Sequence, residues 1–366
     1  MSNTINVEVN NTQSYSIEIG RKLWEHVLEF CRDRFRSERV FLVVDEQVEK
    51  FHGEKILENL ENYFEQVHKY VVPSGEASKS VTQWNKIVDF VLENKVKRNT
   101  PLFAVGGGVT GDLGGFAAAS VMRGIPLVHL PTTLLAMVDS SIGGKTGVNH
   151  ATGKNLIGAF YQPEAVFADV EFLTTLEDKE WINGISEILK YGAIRDQEIL
   201  ETVKSLTQGN RFENPEAWMP LIRKSAGIKV DIVQEDVLEA GTRAFLNFGH
   251  TFGHAMEALS GYGHYSHGEA VFVGMLAALY ASEKLGAPVN RVRFEPFYAL
   301  YDLSTQNLKN RIDDLIERMY RDKKVKSDAI RLVLLKAWEK PYLEECTDHE
   351  FLNEAWTFAL KQFDHQ

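Results

Sequence analysis

Apolar and polar residues alternate at Ile5, Val7 and Val9 and again at Tyr15, Ile17 and Ile19, a period of two that predicts two short strands. Val40 to Val44 is an unbroken apolar run ending at Asp45, the pattern of a strand buried on both faces, and Tyr70 to Val72 predicts another that runs into Pro73-Ser-Gly-Glu76. Pro101 to Val105 predicts a third, bounded by Pro and by Gly106-Gly-Gly108. Val81 to Glu93 and Asp112 to Met122 carry helical patterns between the strands, so the first part of the chain predicts a mainly parallel α/β sheet. Past about residue 170 the pattern changes. Trp181 to Ile194, Ala217 to Gln234, Gly249 to Leu259, Glu269 to Leu285 and Leu308 to Tyr320 read as helices, with only Ile330 to Leu335 strand-like. The expectation is one α/β domain over residues 1–169 and a mostly α-helical domain over 170–366.

Ligands of open α/β sheets gather at the carboxyl ends of strands, where Asp45, Gly75 to Lys79 and Gly106 to Gly108 fall. Gly106-Gly-Gly-Val-Thr-Gly111 matches G-x-G-x-x-G between a strand and a helix, a cradle in which backbone amides and a helix N-terminus face a diphosphate. The match departs from the dinucleotide fingerprint. Where a ribose-binding acid should end the next strand, the chain reads His129-Leu-Pro-Thr-Thr133. Further on, Asp139-Ser-Ser-Ile-Gly-Gly-Lys-Thr-Gly147 and Gly153-Lys-Asn155 set Lys145, Lys154 and Asn155 among small residues, and Arg123 closes the preceding helix. Charges in glycine-rich, apolar surroundings predict a buried anion site.

His250 and His254 stand one helical turn apart in Asn247-Phe-Gly-His-Thr-Phe-Gly-His254, followed by His267 in Tyr265-Ser-His-Gly-Glu269. Imidazoles in this arrangement predict a metal site, which also needs a carboxylate. Glu187 in Ile185-Ser-Glu-Ile-Leu-Lys190 is the best candidate, with Lys190 on the same helix face at i, i+3. His129 and His150 belong to no motif and read as structural; Phe272, Met275 and the alanines after Glu269 read as core.

Composition narrows the choice. The 366 residues, 44% hydrophobic and 25% charged, are those of a globular protein large enough for two domains. A net charge of −11 disfavours nucleic-acid binding, while a local Lys/Arg cluster still serves an anionic substrate. Only Cys31 and Cys346 are present, too few for a disulfide framework, which suits a reducing cytoplasm. The opening Met1 to Asn10 lacks a basic and apolar leader, and no run reaches membrane-spanning length.

These motifs in this order, with Pro73-Ser-Gly-Glu-Ala-Ser-Lys79, Pro131-Thr-Thr-Leu-Leu135 and His267-Gly-Glu269, resemble those of the 3-dehydroquinate synthases, members of the sugar phosphate cyclase family, over nearly the whole chain. The resemblance implies a Rossmann-like NAD-binding domain and a C-terminal metal- and substrate-binding domain, with the active site in the cleft between them. It implies conversion of 3-deoxy-D-arabino-heptulosonate 7-phosphate to 3-dehydroquinate and phosphate, with NAD and Zn2+ or Co2+ as cofactors, in a cytoplasmic homodimer. Glu187, His250 and His267 are then the metal ligands. His254 handles protons or orients substrate, and Asn247 hydrogen-bonds substrate. Arg123, Lys145, Asn155, Lys190, Lys229 and Arg243 surround the substrate's carboxylate and phosphate, with Lys323 or Lys324 as a late lysine. Asp45, Glu76 and Lys79 lie near the adenosine half of NAD. Gly107, Gly108 and Val109 face the diphosphate, and Asp112, Thr132, Thr133, Asp139, Lys145, Lys154 and Phe172, Leu173, Thr174 and Thr175 surround the rest. Asp139 is paired with the nicotinamide amide in this reading; Asp112, Thr132 and Thr133 have capping as their alternative role. Alternatives at this point are a related cyclase acting on another sugar phosphate, a metal-dependent NAD alcohol dehydrogenase, and an inactive binding module.

Overall fold

A computed structural model describes residues 3–10, 13–209, 212–237, 241–261, 264–322 and 329–363. Its contacts divide the chain into two compact units, Met1–Trp181 with Phe212–Val237, and Ile182–Arg211 with Leu238–Gln366. The sequence pattern suggested one boundary near Asp169. The contacts instead divide at Trp181 and return residues 212–237 to the first unit, where Phe212 and Trp218 pack on Trp181.

The first unit is built on strands β1 (Asn3–Asn10), β2 (Gln13–Gly20), β3 (Arg39–Asp45), β4 (Gln66–Val72), β5 (Leu102–Gly106) and β6 (Leu127–Pro131), a hairpin β7 (Lys145–His150) and β8 (Gly153–Phe160), and β9 (Ala165–Asp169). Seven form one sheet in the order β1-β2-β9-β6-β5-β3-β4, parallel except for the β1–β2 pair. Helices α1 (Trp24–Arg34) and α2 (Glu46–Glu61) supply Val27, Cys31, Ile56 and Leu60 to one core, against Val40, Leu42 and Val44 of β3. Helices α3 (Val81–Glu93) and α4 (Gly108–Ser120) supply Ile87, Val91, Leu113 and Ala117 to a second core, against Phe41 and Val43. Both faces of β3 are therefore covered, which is why its apolar run is unbroken. Strand order reverses between β3 and β5, and there Asp45 and Gly106 end neighbouring strands, as the switch point of an open sheet requires for a ligand crevice.

The second unit contains α5 (Asp178–Ile194, entered from the first unit), α6 (Glu198–Leu206), α8 (His250–Ser260), α9 (His267–Lys284), α10 (Gln306–Lys309), α11 (Ile312–Asp322) and α12 (His349–Lys361), while α7 (Met219–Glu235) belongs to the first. Helix α9 is apolar nearly all round because it is central: α8, α12 and strand β10 (Ile330–Leu335) all pack on it. Phe272 stacks on Tyr301 at 3.9 Å, and Phe252 meets Trp356 edge-on.

Two sequence expectations are corrected. Strand β10 is not alone: β11 (Pro341–Cys346) pairs antiparallel with it, a strand made inconspicuous by its Pro start and its glutamates. The glycine-rich stretch 145–160 is a two-stranded hairpin, and its polar side chains are less buried than the sequence suggested. Lys145 and Asn155 are exposed on it and Lys154 is half-buried; Arg123 is exposed as well. Its small residues serve strand approach, since a Cβ on Gly158 would sit 2.1 Å from the Thr146 carbonyl oxygen.

Candidate active site

Three helices of the second unit bring the metal candidates together. Asn183, Ser186, Glu187 and Lys190 share one face of α5 by their i, i+3, i+4 spacing. The start of α9 is held to that face: Gly268 N donates to Asn183 Oδ1 at 2.9 Å, and Ser186 Oγ donates to the Gly268 carbonyl at 2.8 Å. Ser266-His-Gly-Glu269 folds as a capping box, with Glu269 N donating to Ser266 Oγ and Ser266 N to the Glu269 carboxylate. Glu269 is thereby engaged in the cap, and His267 is fixed as the first residue of α9. His250 opens α8 after Gly249, whose left-handed backbone (φ 81°) turns the chain into the helix.

One ligand atom each from Glu187, His250 and His267 lies within 4.8 Å of the others. Glu187 Oε1 is buried and accepts no hydrogen bond, and the Nε2 atoms of His250 and His267 face it at 3.5 and 3.7 Å. Its other oxygen, Oε2, accepts from the buried Lys190 ammonium. A carboxylate and two imidazoles converging on an orphaned oxygen suit a divalent ion of the zinc or cobalt type. Burial favours a neutral Glu187, but Lys190 and the two imidazoles override it and hold the carboxyl well below the usual range. Burial pushes His250 down to about 3, so it presents a neutral ring, as a ligand must. Burial would lower His267 too, yet Glu187 and Glu257 together lift it to about 9.

His254 lies one turn along α8, its ring centroid 5.5 Å from that of His250, half-buried and outside the three-residue cluster. Arg243 is buried, and Asn247 half-buried, in the turn leading to α8. Glu257, one further turn on, is buried with Oε1 3.7 Å from His267 Nδ1, a contact that the motif spacing left unread.

The nucleotide candidates lie in the first unit. Helix α4 starts at Gly108, four residues before the predicted Asp112, so most of the glycine motif lies in its first turn with Gly107 as N-cap. A Cβ on Gly107 would sit 3.0 Å from Thr133 Cγ2, and one on Gly108 3.0 Å from Ser140 Oγ, so the turn has a cradle that only glycine leaves open. That fits a diphosphate at a helix N-terminus. Asp45 caps α2, accepting from Gln47 N and Ser74 Oγ. Buried Lys79 pairs with Asp112, whose carboxyl burial raises. Glu76 accepts from Asn149 Nδ2, and Asn149 Oδ1 accepts from Asn155 N, whose φ of 55° is one that Asn tolerates. Asn149 thus links two expected site segments and was not itself singled out in the sequence. Asp139 is held by Lys229, Nζ to Oδ1 2.8 Å, so an expected nucleotide residue and an expected substrate residue meet. Thr132 is buried; Thr133 Oγ1 accepts from Ala136 N, a cap, and Val109 is half-buried. Phe172 and Leu173 are core, and Thr174 and Thr175 exposed, with Thr175 Oγ1 2.7 Å from His52 Nε2. Lys323 and Lys324 lie outside the described residues.

Comparison with known proteins bears on the family and the fold. Residues 69–183 match the family described as 3-dehydroquinate synthase N-terminal, and residues 184–325 match 3-dehydroquinate synthase C-terminal. A 3-dehydroquinate synthase of Salinibacter ruber is 42% identical over 88% of this chain and 88% of its own length, and one of Syntrophotalea carbinolica is 39% identical over 96% and 97%. Among solved structures, a 2-deoxy-scyllo-inosose synthase complexed with carbaglucose-6-phosphate, NAD+ and Co2+ superposes with a TM-score of 0.85 at 26% identity, covering 97% of this chain and 99% of that one. A parallel sheet with a glycine turn, a Glu-His-His cluster and two family matches in tandem lead to one conclusion: the chain belongs to the 3-dehydroquinate synthase family.

Proposed function

We propose that this protein is the lyase of the shikimate pathway that converts 3-deoxy-D-arabino-heptulosonate 7-phosphate to 3-dehydroquinate and phosphate, on the way to the aromatic amino acids. The observation that carries the reading is the orphaned Glu187 oxygen faced by His250 and His267, on a chain whose family is that of the synthase. When bound, NAD transiently accepts and returns a hydride while Zn2+ or Co2+ acts as a Lewis acid on the substrate hydroxyls. Phosphate elimination requires an acidic C–H beside the leaving-group carbon, which an alcohol carbon does not offer and a neighbouring ketone does. Re-reduction, ring opening and intramolecular aldol addition then close the carbocycle.

Each residue has a task in this proposal. Glu187, His250 and His267 hold the ion. His254, on the same helix and free of the ligand set, moves a proton or orients substrate, and Asn247 donates a hydrogen bond to it. Arg123, Lys145, Asn155, Lys190, Lys229 and Arg243 bind carboxylate and phosphate. For NAD, the turn at Gly107, Gly108 and Val109 receives the diphosphate and Asp45, Glu76 and Lys79 the adenosine half. Asp112, Thr132, Thr133, Asp139, Lys154 and residues 172–175 flank the remainder. A homodimer in the cytoplasm completes the proposal; two buried free thiols support a reducing compartment, and no helix among the described residues is long and apolar enough to cross a membrane.

The test is an assay of phosphate release with product identification by mass spectrometry, using the purified protein, NAD, Zn2+ and the heptulosonate phosphate, with and without chelator. Chelator-sensitive phosphate release, equimolar 3-dehydroquinate and no net NADH are expected. Release only from a sugar phosphate lacking the carboxylate would move the chain to another cyclase activity, and net NADH from a neutral polyol would overturn the reading. Sedimentation equilibrium reads the assembly, a monomer counting against the dimer.

A further inference from the structure

The imidazole of His267 stands between two buried carboxylates: Nε2 is 3.7 Å from Glu187 Oε1, and Nδ1 is 3.7 Å from Glu257 Oε1. The two ring nitrogens point away from each other, so the carboxylate at Nδ1 does not share a metal ion bound at Nε2. Glu257 is accordingly absent from the cluster of convergent ligand atoms. It is nonetheless only 4% exposed, so its charge lies inside the unit, with His267 Nδ1 among its neighbours. Its place on α8 is also regular. His250, His254 and Glu257 occupy i, i+4 and i+7, one face of the helix, and the last of the three reaches the first residue of α9.

We propose that Glu257 is a positioning residue for His267: its carboxylate, facing Nδ1 at ion-pair distance, favours the proton on Nδ1 and so the tautomer with a bare Nε2, and keeps the ring turned so that this nitrogen faces Glu187. This inference rests on the reading of Glu187, His250 and His267 as metal ligands. Imidazole ligands commonly donate their second N–H to a carboxylate, which fixes ring orientation and strengthens the ligand. The other two ligands are supported differently. His250 Nδ1 lies 3.3 Å from the Phe248 carbonyl, and Glu187 is held by Lys190, so His267 is the ligand whose orientation depends on a side chain of another helix.

The experiment is a Co2+ and Zn2+ affinity measurement by chelator competition on the full chain, with the Co2+ absorption spectrum recorded, for the unaltered protein and for Glu187→Gln, Glu257→Leu and Glu257→Gln. Melting of each metal-free protein is measured in parallel. Glu257→Leu is expected to bind metal about 10–100-fold more weakly with a changed Co2+ spectrum, as loss of such a supporting partner does elsewhere. Glu257→Gln keeps an acceptor oxygen without the charge and is expected to fall between Leu and the unaltered protein. A folded Glu257→Leu that binds within about twofold of the unaltered protein with an unchanged spectrum overturns the inference, even if its metal-free melting temperature falls, because that pattern is a packing role. Should the Leu variant not fold, Glu257→Gln decides: unchanged affinity and spectrum overturn the inference, and a weaker, spectrally altered site supports it. Glu187→Gln separates this from the metal reading itself. If it binds as the unaltered protein does, the ligand set is wrong; if it loses the metal while Glu257→Leu does not, only the role of Glu257 is wrong.

Discussion

Glu187 and Lys190 form an ion pair with almost no solvent contact, and a pair so buried stabilises only while both partners remain. Removing the ammonium by Lys190→Met leaves the carboxylate facing two imidazoles alone. The metal-free variant is expected to lose about 3–5 kcal/mol of unfolding free energy in urea titrations, and added Zn2+ is expected to raise its midpoint more than it raises that of the parent. Equal stability of variant and parent without metal would contradict the pairing. A second residue carries a pH dependence. Burial lowers His129 to about 4, from the 6.5 of an exposed ring. Between those values the unfolded chain holds a proton that the native state lacks, so this contribution is complete above about pH 6.5 and is lost as pH falls toward 4. From pH 7 to pH 5 the parent should lose about 2 kcal/mol more than His129→Leu does, and parallel slopes would refute it. At this scale the convergent cluster of Glu187, His250 and His267 was legible because the histidine spacing and the Glu187/Lys190 spacing are local signals. The pairing of Lys229 with Asp139, 90 residues apart, and the link from Asn149 to Glu76, 73 apart, depend on tertiary proximity that spacing does not encode.

Helices α8 and α9 touch backbone to backbone. A Cβ on Gly274 would sit 2.0 Å from the Gly249 carbonyl oxygen and 2.9 Å from Gly253 N, so no flexible side-chain end is available to move aside. Gly274→Ala must push α9 away from the helix that carries His250, and with it the first residue of α9, His267. A loss of several degrees in melting temperature together with weakened metal binding is expected; calorimetry and chelator competition showing neither would mean that the helices separate without cost. At the level of elements, periodicity served best where one rule dominated: α3 runs Val81–Glu93 as predicted, and β3 extends the predicted Val40–Val44 by one residue at each end. It missed the hairpin at 145–160. There the glycines allow the close approach of two strands at Gly147 and Gly158, and the pairing leaves Lys145 and Asn155 exposed rather than buried. It failed again at β11, whose alternation is broken by consecutive glutamates at 344 and 345.

At the scale of the whole molecule, the three proposed metal ligands all belong to the second compact unit, and the glycine turn with Asp45, Lys79 and Asp112 to the first. That segregation was only partly visible in the chain, because residues 212–237 rejoin the first unit after the second has begun. It has an energetic consequence. A ligand stabilises the native state by an amount that grows with the logarithm of its concentration over its dissociation constant, about 2.7 kcal/mol at one hundred times that constant, and slows most the amides whose opening breaks its own contacts. Metal added alone should therefore slow hydrogen exchange chiefly over residues 183–190, 250–257 and the start of α9. NAD added alone should do so chiefly over residues 76–79 and 106–112. Both sets contain hydrogen-bonded amides, among them those of Ser78, Lys79, Gly111, Gly253 and Ala270, and it is on these that the changes in minutes-to-hours exchange are read. Should NAD protect the histidine helices most, and metal the glycine turn, the assignment of one cofactor to each unit would be wrong even if the assay for 3-dehydroquinate succeeded.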